Sequence, residues 1–377
     1  MTSSFEIIET TWGELVSVKQ GRYVSKDRLF SVRSAENPTP TVGANGILGF
    51  VGNASYSQRV PLVTCRGSNC GLIQYPNEPV WVNNNAMALN AGSQQDNDFI
   101  YYLALNTRFD DVTSGSAQPQ ITAGPLKSKT VKVPERKHWR AIAATLGALD
   151  DKIDSNRRQR ALFRTLGKAR YESAILSESR TVPLSDVTVS IARGVAPKYT
   201  DDDPTAPYVV NQRCIRDGWV SLQLARRMSD RKVKVEKRAS GGDILVNSTG
   251  TGTLGRVARW HAGDVFVDGH VSVVKPDPTC VPPTTLAYSL LNRESDIEEL
   301  ATGSTGQTEL SAARLAELLV RLPTCQSALA LESDLIAIEN RCHQLAAEIQ
   351  RLAALRDTLL PELLSGRIRV PAEGFTP

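Results

Sequence analysis

The sequence predicts a mixed α/β protein built from two duplicated β-rich domains and two long helices. Two observations support this prediction: the chain carries one series of motifs twice, and each series ends in a segment with heptad periodicity. The 377 residues can bury more than one hydrophobic core. Two copies are too few for a solenoid, so we expect a duplicated unit of one domain and one helix.

The duplication is clearest where a β-forming run meets a polar loop. In each copy a strand, a loop rich in Gly, Ser, Asn or Thr and a second strand are followed by a polar triplet between two further β-forming runs. A Gly-Ser segment and a short strand ending in proline then precede the helix. The paired ranges are 62–73 with 244–257, 80–89 with 265–274, 115–121 with 303–310, and 131–134 with 320–323.

The two helical segments carry apolar residues at alternating spacings of four and three, which is the pattern of a coiled coil. In the second segment these positions are Leu331, Leu335, Ile338, Cys342, Leu345, Ile349, Leu352, Arg356, Leu359 and Leu363. The matching positions of the first are Ile142, Leu146, Leu149, Ile153, Asn156, Arg160, Phe163, Gly167, Arg170 and Ala174. After Asn156 and Arg160 we expect Leu162, Phe163, Leu166 and Ala169 to continue the stripe, slightly rotated.

Both helices have the same heptad phase, so we expect them to pair with each other, and the chain connectivity makes this intramolecular pair antiparallel. The predicted segments are a first domain at 1–133, a helix at 134–180, a second domain at 181–322, a helix at 323–368 and a tail at 369–377. Such a pair would place the domains at opposite ends of a rod ~50 Å long, related by a pseudo-two-fold axis. This arrangement suits duplex DNA, whose half-sites on one face lie ~34–36 Å apart or multiples of that.

Composition excludes several classes of protein. Hydrophobic residues make up 41% and charged residues 22%, as in folded domains. No apolar run is long enough to cross a membrane, and the N-terminus lacks the basic region of a secretory signal. The six cysteines form no metal-ligand pattern, so we expect reduced thiols, no metal site and a cytoplasmic location. The net charge of +4 is only weak support for a nucleic-acid partner.

Two helix motifs resemble the specificity subunits of type I restriction-modification enzymes. The Leu149–Asn156 segment (LDDKIDSN) is similar to the central conserved region of that family, and Leu355–Gly366 (LRDTLLPELLSG) is similar to its C-terminal conserved region. The Gly-Ser segments and Cys65–Gly71 extend the resemblance over essentially the whole chain. In that family a Glu-Gln pair usually follows the proline before each helix. Here Glu-Arg follows Pro134 and Thr-Cys follows Pro323, a departure that bears only on where the helices begin.

The resemblance implies a non-catalytic DNA-recognition subunit of a restriction endonuclease and adenine methyltransferase complex. Each domain would be a target-recognition domain that reads one half of a bipartite site, while the helices set the spacing and dock methyltransferase subunits. The implied partners are double-stranded DNA, two copies of the modification subunit and a restriction subunit with motor and nuclease activity, with no membrane. This chain would hold no cofactor, and its partner subunits would use S-adenosylmethionine, ATP and Mg²⁺.

Candidate DNA contacts lie in the repeated loops and in a basic run at 226–238. Amide side chains can pair with adenine, His can donate to guanine, and clustered Arg and Lys bind phosphates. The candidates are Arg66, Ser68, Asn69, Asn83, Asn84, Asn85, Gln118, Gln120, Arg226, Arg227, Arg231, Lys232, Lys234, Ser248, Thr249, Thr251, His270 and Gln307. Structural alternatives stay open: hairpin turns for the triplets, tight turns for the glycine loops, a helix cap for the glutamines and a solvated edge for the basic run.

The helices supply a second set of candidates, for spacing and subunit docking. These are Leu149, Ile153, Asn156, Leu355, Leu359, Leu360, Leu363 and Leu364. Asn156 and Arg160 could fix the register of the pair, as polar seam residues do. We expect Leu360, Leu364 and Ile368 to extend beyond the seam and to offer apolar surface to a methyltransferase. The basic residues of the first helix either form a solvated or partner-facing surface or lie along DNA.

Motifs for catalysis are missing from the sequence. The Gly250–Gly255 segment fits G-x-G-x-x-G, but a strand rather than a helix is expected after it. We find no phosphate loop, adenine-methylation motif, nucleophile elbow or H-E-x-x-H. The four histidines (His138, His261, His270 and His343) look too dispersed to form a shared site. Two other functions remain: a coiled-coil scaffold or decoy that binds protein only, and an enzyme that binds a nucleotide at the glycine loop.

Overall fold

The computed structural model describes residues 5–115, 117–229, 233–302 and 308–371. Contacts divide the chain into two compact units. The first unit is Met1–Asn156 with Ala347–Pro377, and the second is Arg157–Ala346. Each unit therefore contains a β-rich body together with part of each long helix.

The described residues of the first unit form eleven short strands, three short helices and the beginning of a long helix. The strands are β1 (Ile7–Thr11), β2 (Ser17–Gln20), β3 (Thr39–Gly43), β4 (Gly46–Val51), β5 (Leu62–Thr64), β6 (Ile73–Gln74), β7 (Trp81–Val82), β8 (Ala86–Asn90), β9 (Thr113–Ser114), β10 (Gln120–Ile121) and β11 (Thr130–Pro134). The helices are α1 (Trp12–Leu15), α2 (Gln94–Leu105), α3 (Ala123–Ser128) and the long α4 (Trp139–Ser177).

Two sheets form the body of the first unit. One has the order β2-β8-β5-β6 and is antiparallel, and the other has the order β4-β3-β7 with β3 and β7 parallel. The ring of Phe99 in α2 stacks on Trp139 with centroids 4.3 Å apart, and Trp139 Nε1 donates to the Pro134 carbonyl at 2.9 Å. These contacts fix the start of α4 against the core at the end of β11.

The second unit continues from α4, and its described residues form thirteen strands and four further helices. The strands are β12 (Ser179–Pro183), β13 (Thr188–Arg193), β14 (Tyr199–Thr200), β15 (Tyr208–Val210), β16 (Ile215–Arg216), β17 (Trp219–Val220), β18 (Arg226–Met228), β19 (Arg238–Ala239), β20 (Ile244–Asn247), β21 (Val257–Arg259), β22 (Val265–Val267), β23 (Val271–Pro276) and β24 (Leu319–Pro323). The helices are α5 (Pro283–Leu291), α6 (Glu294–Glu299), α7 (Ala312–Ala316) and the long α8 (Cys325–Leu364).

The second unit repeats the topology of the first. Its four-stranded sheet has the order β13-β23-β20-β21, its larger sheet is β14-β18-β15-β22-β19 with β15 and β22 parallel, and β12 pairs with β24 as β1 pairs with β11. Gly21 and Gly194 occupy equivalent places, because an added Cβ would lie only 2.3 Å and 2.1 Å from the carbonyl oxygens of Val82 and Val267. The structure thus confirms the duplication predicted from the sequence.

The two long helices are antiparallel within each unit. In the first unit Asp150 pairs with Arg356 at 2.6 Å, and Lys152 lies 3.7 Å from Glu348. In the second unit Cys342 Sγ donates to the Arg160 carbonyl at 3.8 Å. Residue numbers therefore rise along α4 as they fall along α8, which confirms the predicted coiled-coil pairing.

The seam of α4 differs from the expected rotated stripe. Leu162 and Leu166 are 69% and 45% exposed, whereas Gly167 and Tyr171 are buried. The helix keeps the phase set by Asn156 and Arg160, because Gly167 leaves room for the ring of Tyr288: a Cβ there would lie 2.5 Å from ring atoms. The prediction that the stripe rotates was wrong.

The end of α8 also differs from expectation. Leu360 and Leu364 are only 7% and 5% exposed and belong to the first hydrophobic core with Leu363. They are therefore not the surplus apolar surface that the sequence suggested. Leu355 and Ile368 do remain exposed. Within the described ranges, no helix is long and apolar enough to cross a membrane.

Candidate nucleic-acid interface

Three polar segments of the first unit meet beyond the end of β5. They are the loop at 65–71, the turn at 83–85 and the segment at 114–121. The Cys65 N–H donates to the Asn85 carbonyl at 2.9 Å, and the Ile121 N–H donates to the Cys65 carbonyl at 3.0 Å. An isolated bridge then joins Arg66 to Gln120. The backbone thus brings these sequence candidates side by side.

The second unit builds the same framework from its own glycine loop and triplet turn and from the described residues 308–310. The Ser248 N–H donates to the His270 carbonyl at 2.9 Å, the Leu310 N–H donates to the Ser248 carbonyl at 2.8 Å, and a bridge joins Thr249 to Glu309. These hydrogen bonds identify three pairs of equivalent positions in the two units. These pairs are Arg66 with Thr249, Asn85 with His270, and Gln120 with Glu309.

Glycines shape the loop in each copy. Gly67 and Gly71 have φ of +91° and +88°, and Gly250 and Gly255 have φ of +103° and +83°. These left-handed conformations are readily adopted only by glycine, so each loop turns back within a few residues. The chain after Gly255 enters strand β21 and not a helix. A dinucleotide-binding turn, which needs a helix there, is therefore excluded.

The polar triplets are turns, but they are not hairpins. The triplet at 83–85 joins β7 of one sheet to β8 of the other, and the triplet at 268–270 joins β22 to β23 in the same way. The hairpin alternative was therefore wrong. The first residue of each turn is buried and holds the turn by a hydrogen bond. Asn83 Oδ1 accepts from the Asn85 N–H at 3.3 Å, and Asp268 Oδ1 accepts from the His270 N–H at 2.8 Å.

Burial divides the loop candidates into two classes. Arg66, Ser68, Asn69, Gln118, Thr251 and His270 are exposed, while Asn84, Asn85, Gln120 and Thr249 are half-buried. Ser248 is fully buried, and its hydroxyl lies 2.6 Å from that of Ser272. Ser248 and Asn83 therefore hold the loops together, which corrects their assignment as DNA contacts. Gln307 lies outside the described residues.

In the second unit Thr249, Thr251 and His270 line a cleft of about 670 Å³. Thr249 and His270 meet there, with Thr249 Oγ1 2.7 Å from His270 Nδ1. Arg193 forms an ion pair with Glu309 and donates from Nε to the Gly269 carbonyl at 2.8 Å. The cleft thus offers both hydrogen-bond donors and acceptors, as the reading of base edges requires. The sequence analysis missed Arg193 and Glu309.

The basic run is partly structured by aromatic rings. Arg226 and Arg227 lie in β18, each with its guanidinium 4.0 Å from a ring centroid, of Tyr199 and Tyr208 respectively. Arg226 also lies 3.6 Å from Asp201. Lys234 is exposed, whereas Arg231 and Lys232 lie outside the described residues.

The sequence analysis also missed a buried cluster of ionisable groups in the second unit. The rings of His261 and His343 lie 4.0 Å apart, and Arg259 Nη1 donates to Glu339 Oε2 at 2.6 Å. Burial lowers the pKa of His261 to about 3 and raises the pKa of Glu339 to about 7. These two histidines are therefore neighbours, contrary to the expectation of four dispersed residues. Among the described residues no group of side chains could hold a metal ion.

The spacing candidates lie on the inner side of the helix pair or at its edge. Ile153 and Asn156 are buried and Leu149 is half-buried. Both side-chain polar atoms of Asn156 are buried without a hydrogen-bond partner. In α8, Leu359 is half-buried and Leu363 is buried, so Leu355 is the exposed member of the set.

Parts of this chain are similar in sequence to known proteins, and its fold is similar to that of a solved structure. The model of the family described as Type I restriction modification DNA specificity domain matches residues 9–162. The EcoprrI type I restriction enzyme specificity subunit of Escherichia coli is 24% identical over 145 residues, which span 38% of this chain and 36% of the relative. The type I restriction-modification S subunit from M. genitalium has a similar fold, with a TM-score of 0.63, 16% identity and 97% of each chain covered.

Proposed function

We propose that this chain is the DNA sequence-specificity subunit of a type I restriction-modification system, because its residues 9–162 match the model of the family described as Type I restriction modification DNA specificity domain. Each of its units reads one half of a bipartite DNA target. The chain performs no catalysis itself, and the complex that it directs methylates or cleaves the DNA.

The duplicated loop framework carries this proposal. Both units hold the three loop segments with the same backbone hydrogen bonds, yet the side chains at equivalent positions differ in chemistry. Asn85 is replaced by His270, and Gln120 by Glu309. Amides suit adenine, whereas a carboxylate accepts from cytosine and a histidine can donate to guanine. One framework with exchanged side chains is what two half-sites of different sequence require.

The helix pair and the exposed end of α8 offer the surfaces that the proposed partner subunits would bind. The antiparallel pair sets the spacing of the half-sites, and two modification subunits dock along it. Leu355 and Ile368 offer exposed apolar side chains near the end of α8 for one of these contacts. The modification subunits bring S-adenosylmethionine, and a restriction subunit brings ATP and Mg²⁺ chemistry.

A domain exchange tests the proposal. Residues 181–322 are replaced by the matching domain of another specificity subunit, and methylated sites are mapped in cells that contain the modification subunit. We expect one half of the target to change and the other half to stay the same. The control exchanges the 1–133 domain, which should change the opposite half.

Two outcomes would contradict the proposal. A swap that altered both halves would show that the units do not read DNA independently. A wild-type chain that assembled with partner proteins but showed no sequence preference in a duplex gel shift would be a protein-binding scaffold.

A further inference from the structure

A basic groove in the second unit has no role in the function described so far. Its volume is about 500 Å³. Arg160, Arg164 and Lys168 of α4 line one wall, and Asp217 and Trp219 of the β16–β17 hairpin line the other. The three cations recur every four residues, so they form one stripe with ~6 Å between successive positions along the helix.

The hairpin is shaped to hold this wall in place. Its turn residues, Asp217 and Gly218, have φ of +53° and +76°, as in the tight turns that favour Asp-Gly. The turn presents Trp219 to α4, and the guanidinium of Arg160 lies 4.3 Å from the centroid of that ring. Stacking of this kind orients an arginine and leaves the edge of its guanidinium available to an anion.

The charges in the groove are held partly out of water. Burial lowers the pKa of both Arg160 and Lys168. The Nε atoms of Arg160 and Arg164 are buried and have no hydrogen-bond partner. The carboxylates of Asp217 and Glu294 both lie against Arg164, at 3.9 Å and 3.5 Å. Arg164 is thus already compensated, and Lys168 Nζ donates to the Leu291 carbonyl at 2.8 Å. An anionic ligand would therefore add charge compensation chiefly at Arg160 and Lys168.

Helix α6 connects the groove to the recognition cleft. Glu294, at its first residue, contacts Arg164, whereas Glu298, near its last residue, lines the cleft that contains Thr249 and His270. The six residues of α6 span ~9 Å. Duplex DNA carries a phosphate charge every ~1.7 Å of its axis, and the Debye length is ~8 Å at physiological salt. The groove is therefore close enough to the cleft to meet phosphates of a duplex that the cleft reads.

We propose that this groove binds the sugar–phosphate backbone of DNA next to the half-site that the second unit reads. This inference rests on the proposed function. Because phosphate contacts carry no sequence information, such a groove adds affinity without sequence preference.

The salt dependence of DNA binding by the full-length chain tests the groove. The double variant Arg160→Gln/Lys168→Gln is compared with wild type on two duplexes: the target found by methylation mapping and a random sequence. Each lost phosphate contact lowers the slope of log affinity against log salt by ~0.9, so the slope should fall by ~1.8. Between 50 and 200 mM salt, the variant should then lose ~12-fold less affinity than wild type.

Two matched variants separate contact from overall charge and from folding. Arg158→Gln/Arg170→Gln removes the same charge from exposed positions of the same helix and should leave the slope unchanged. Arg160→Lys/Lys168→Arg keeps the charge and should retain most of the slope. The ratio of target to random affinity should be the same for all of these proteins.

Several results would overturn the inference. They are an unchanged slope in Arg160→Gln/Lys168→Gln, an equal change in the exposed pair, or a shift in the preferred sequence. A variant that lost its modification subunit but kept the wild-type slope would show that the groove binds an acidic protein surface instead. A wild-type chain that showed no sequence preference would refute the proposed function itself, whatever the slopes.

Discussion

Removing one partner of the buried ion pair of Arg259 and Glu339 should strongly destabilise the second unit. Arg259 Nη1 lies 2.6 Å from Glu339 Oε2, with side chains 16% and 6% exposed, and the pair joins β21 to α8. Arg259→Met leaves the carboxylate buried without its partner, which should cost about 3–5 kcal/mol at pH 8. Replacing both residues by Met should cost far less, because no buried charge is then left uncompensated.

The pH dependence follows from the raised pKa of Glu339. Burial raises this pKa from 4.5 to about 7, so the folded state keeps a proton that the unfolded state has already lost. The resulting stability is fully present below pH ~4.5 and is lost as the pH rises through about 7. At ~1.36 kcal/mol per pH unit, wild type should lose ~3 kcal/mol relative to Glu339→Gln over this range. His261, whose pKa burial lowers to about 3, acts in the opposite sense in both proteins.

Amide hydrogen exchange in β21 and the facing turns of α8 measures these effects in the second unit alone. It is recorded from pH 4 to pH 8 for wild type, Glu339→Gln, Arg259→Met and the double Met variant. The reasoning would be refuted if Arg259→Met cost less than ~1 kcal/mol at pH 8, well below the usual range for a broken buried pair. It would also be refuted if the double Met variant were as unstable as Arg259→Met.

Four further predictions concern folding, subunit docking and the spacing of the half-sites. Gly194→Ala should destabilise the second unit by ~3 kcal/mol or more in urea unfolding, because the added Cβ would lie 2.1 Å from the Val267 carbonyl oxygen. As a control, Gly263→Ala adds its Cβ in open space and should change the free energy of unfolding by less than ~1 kcal/mol. Leu363→Ala should cost the first unit ~2–5 kcal/mol. Leu355→Ala should lower the free energy of unfolding by less than ~0.5 kcal/mol, because Leu355 is exposed, yet it should weaken co-purification with the modification subunit. Normal co-purification would count against docking at Leu355. One heptad added in register to both long helices should lengthen the gap in the methylated target by about three base pairs without changing either half-site. An active variant with an unchanged gap would show that the helices do not set the spacing.

Local sequence signals were sufficient to predict the duplicated architecture. Strand, glycine loop and polar triplet recur in order, and heptads specify two helices, so the pairing of α4 with α8 could be inferred from phase and connectivity. The same signals located the loops of the candidate interface. They could not show that Asn83 and Ser248 are buried. The burial of Asn83 depends on how its turn passes between two sheets, and that of Ser248 on its contact with the Ser272 hydroxyl.

Contacts between residues far apart in the chain account for what the sequence analysis missed. Glu309 enters the cleft by pairing with Arg193, and His343 of α8 meets His261 after β21. Neither pair has a characteristic spacing. The direction of the α4 seam likewise depends on the ring of Tyr288 packing over Gly167, whereas a hydrophobic pattern alone favours Leu162 and Leu166.

Mapping of methylated bases in a host that carries this chain and its modification subunit tests the central claim most directly. The account predicts one bipartite motif, with two different specific halves separated by a gap of fixed length, and loss of that methylation when the chain is deleted. Methylation that persisted without the chain, or that followed one uninterrupted motif, would contradict it.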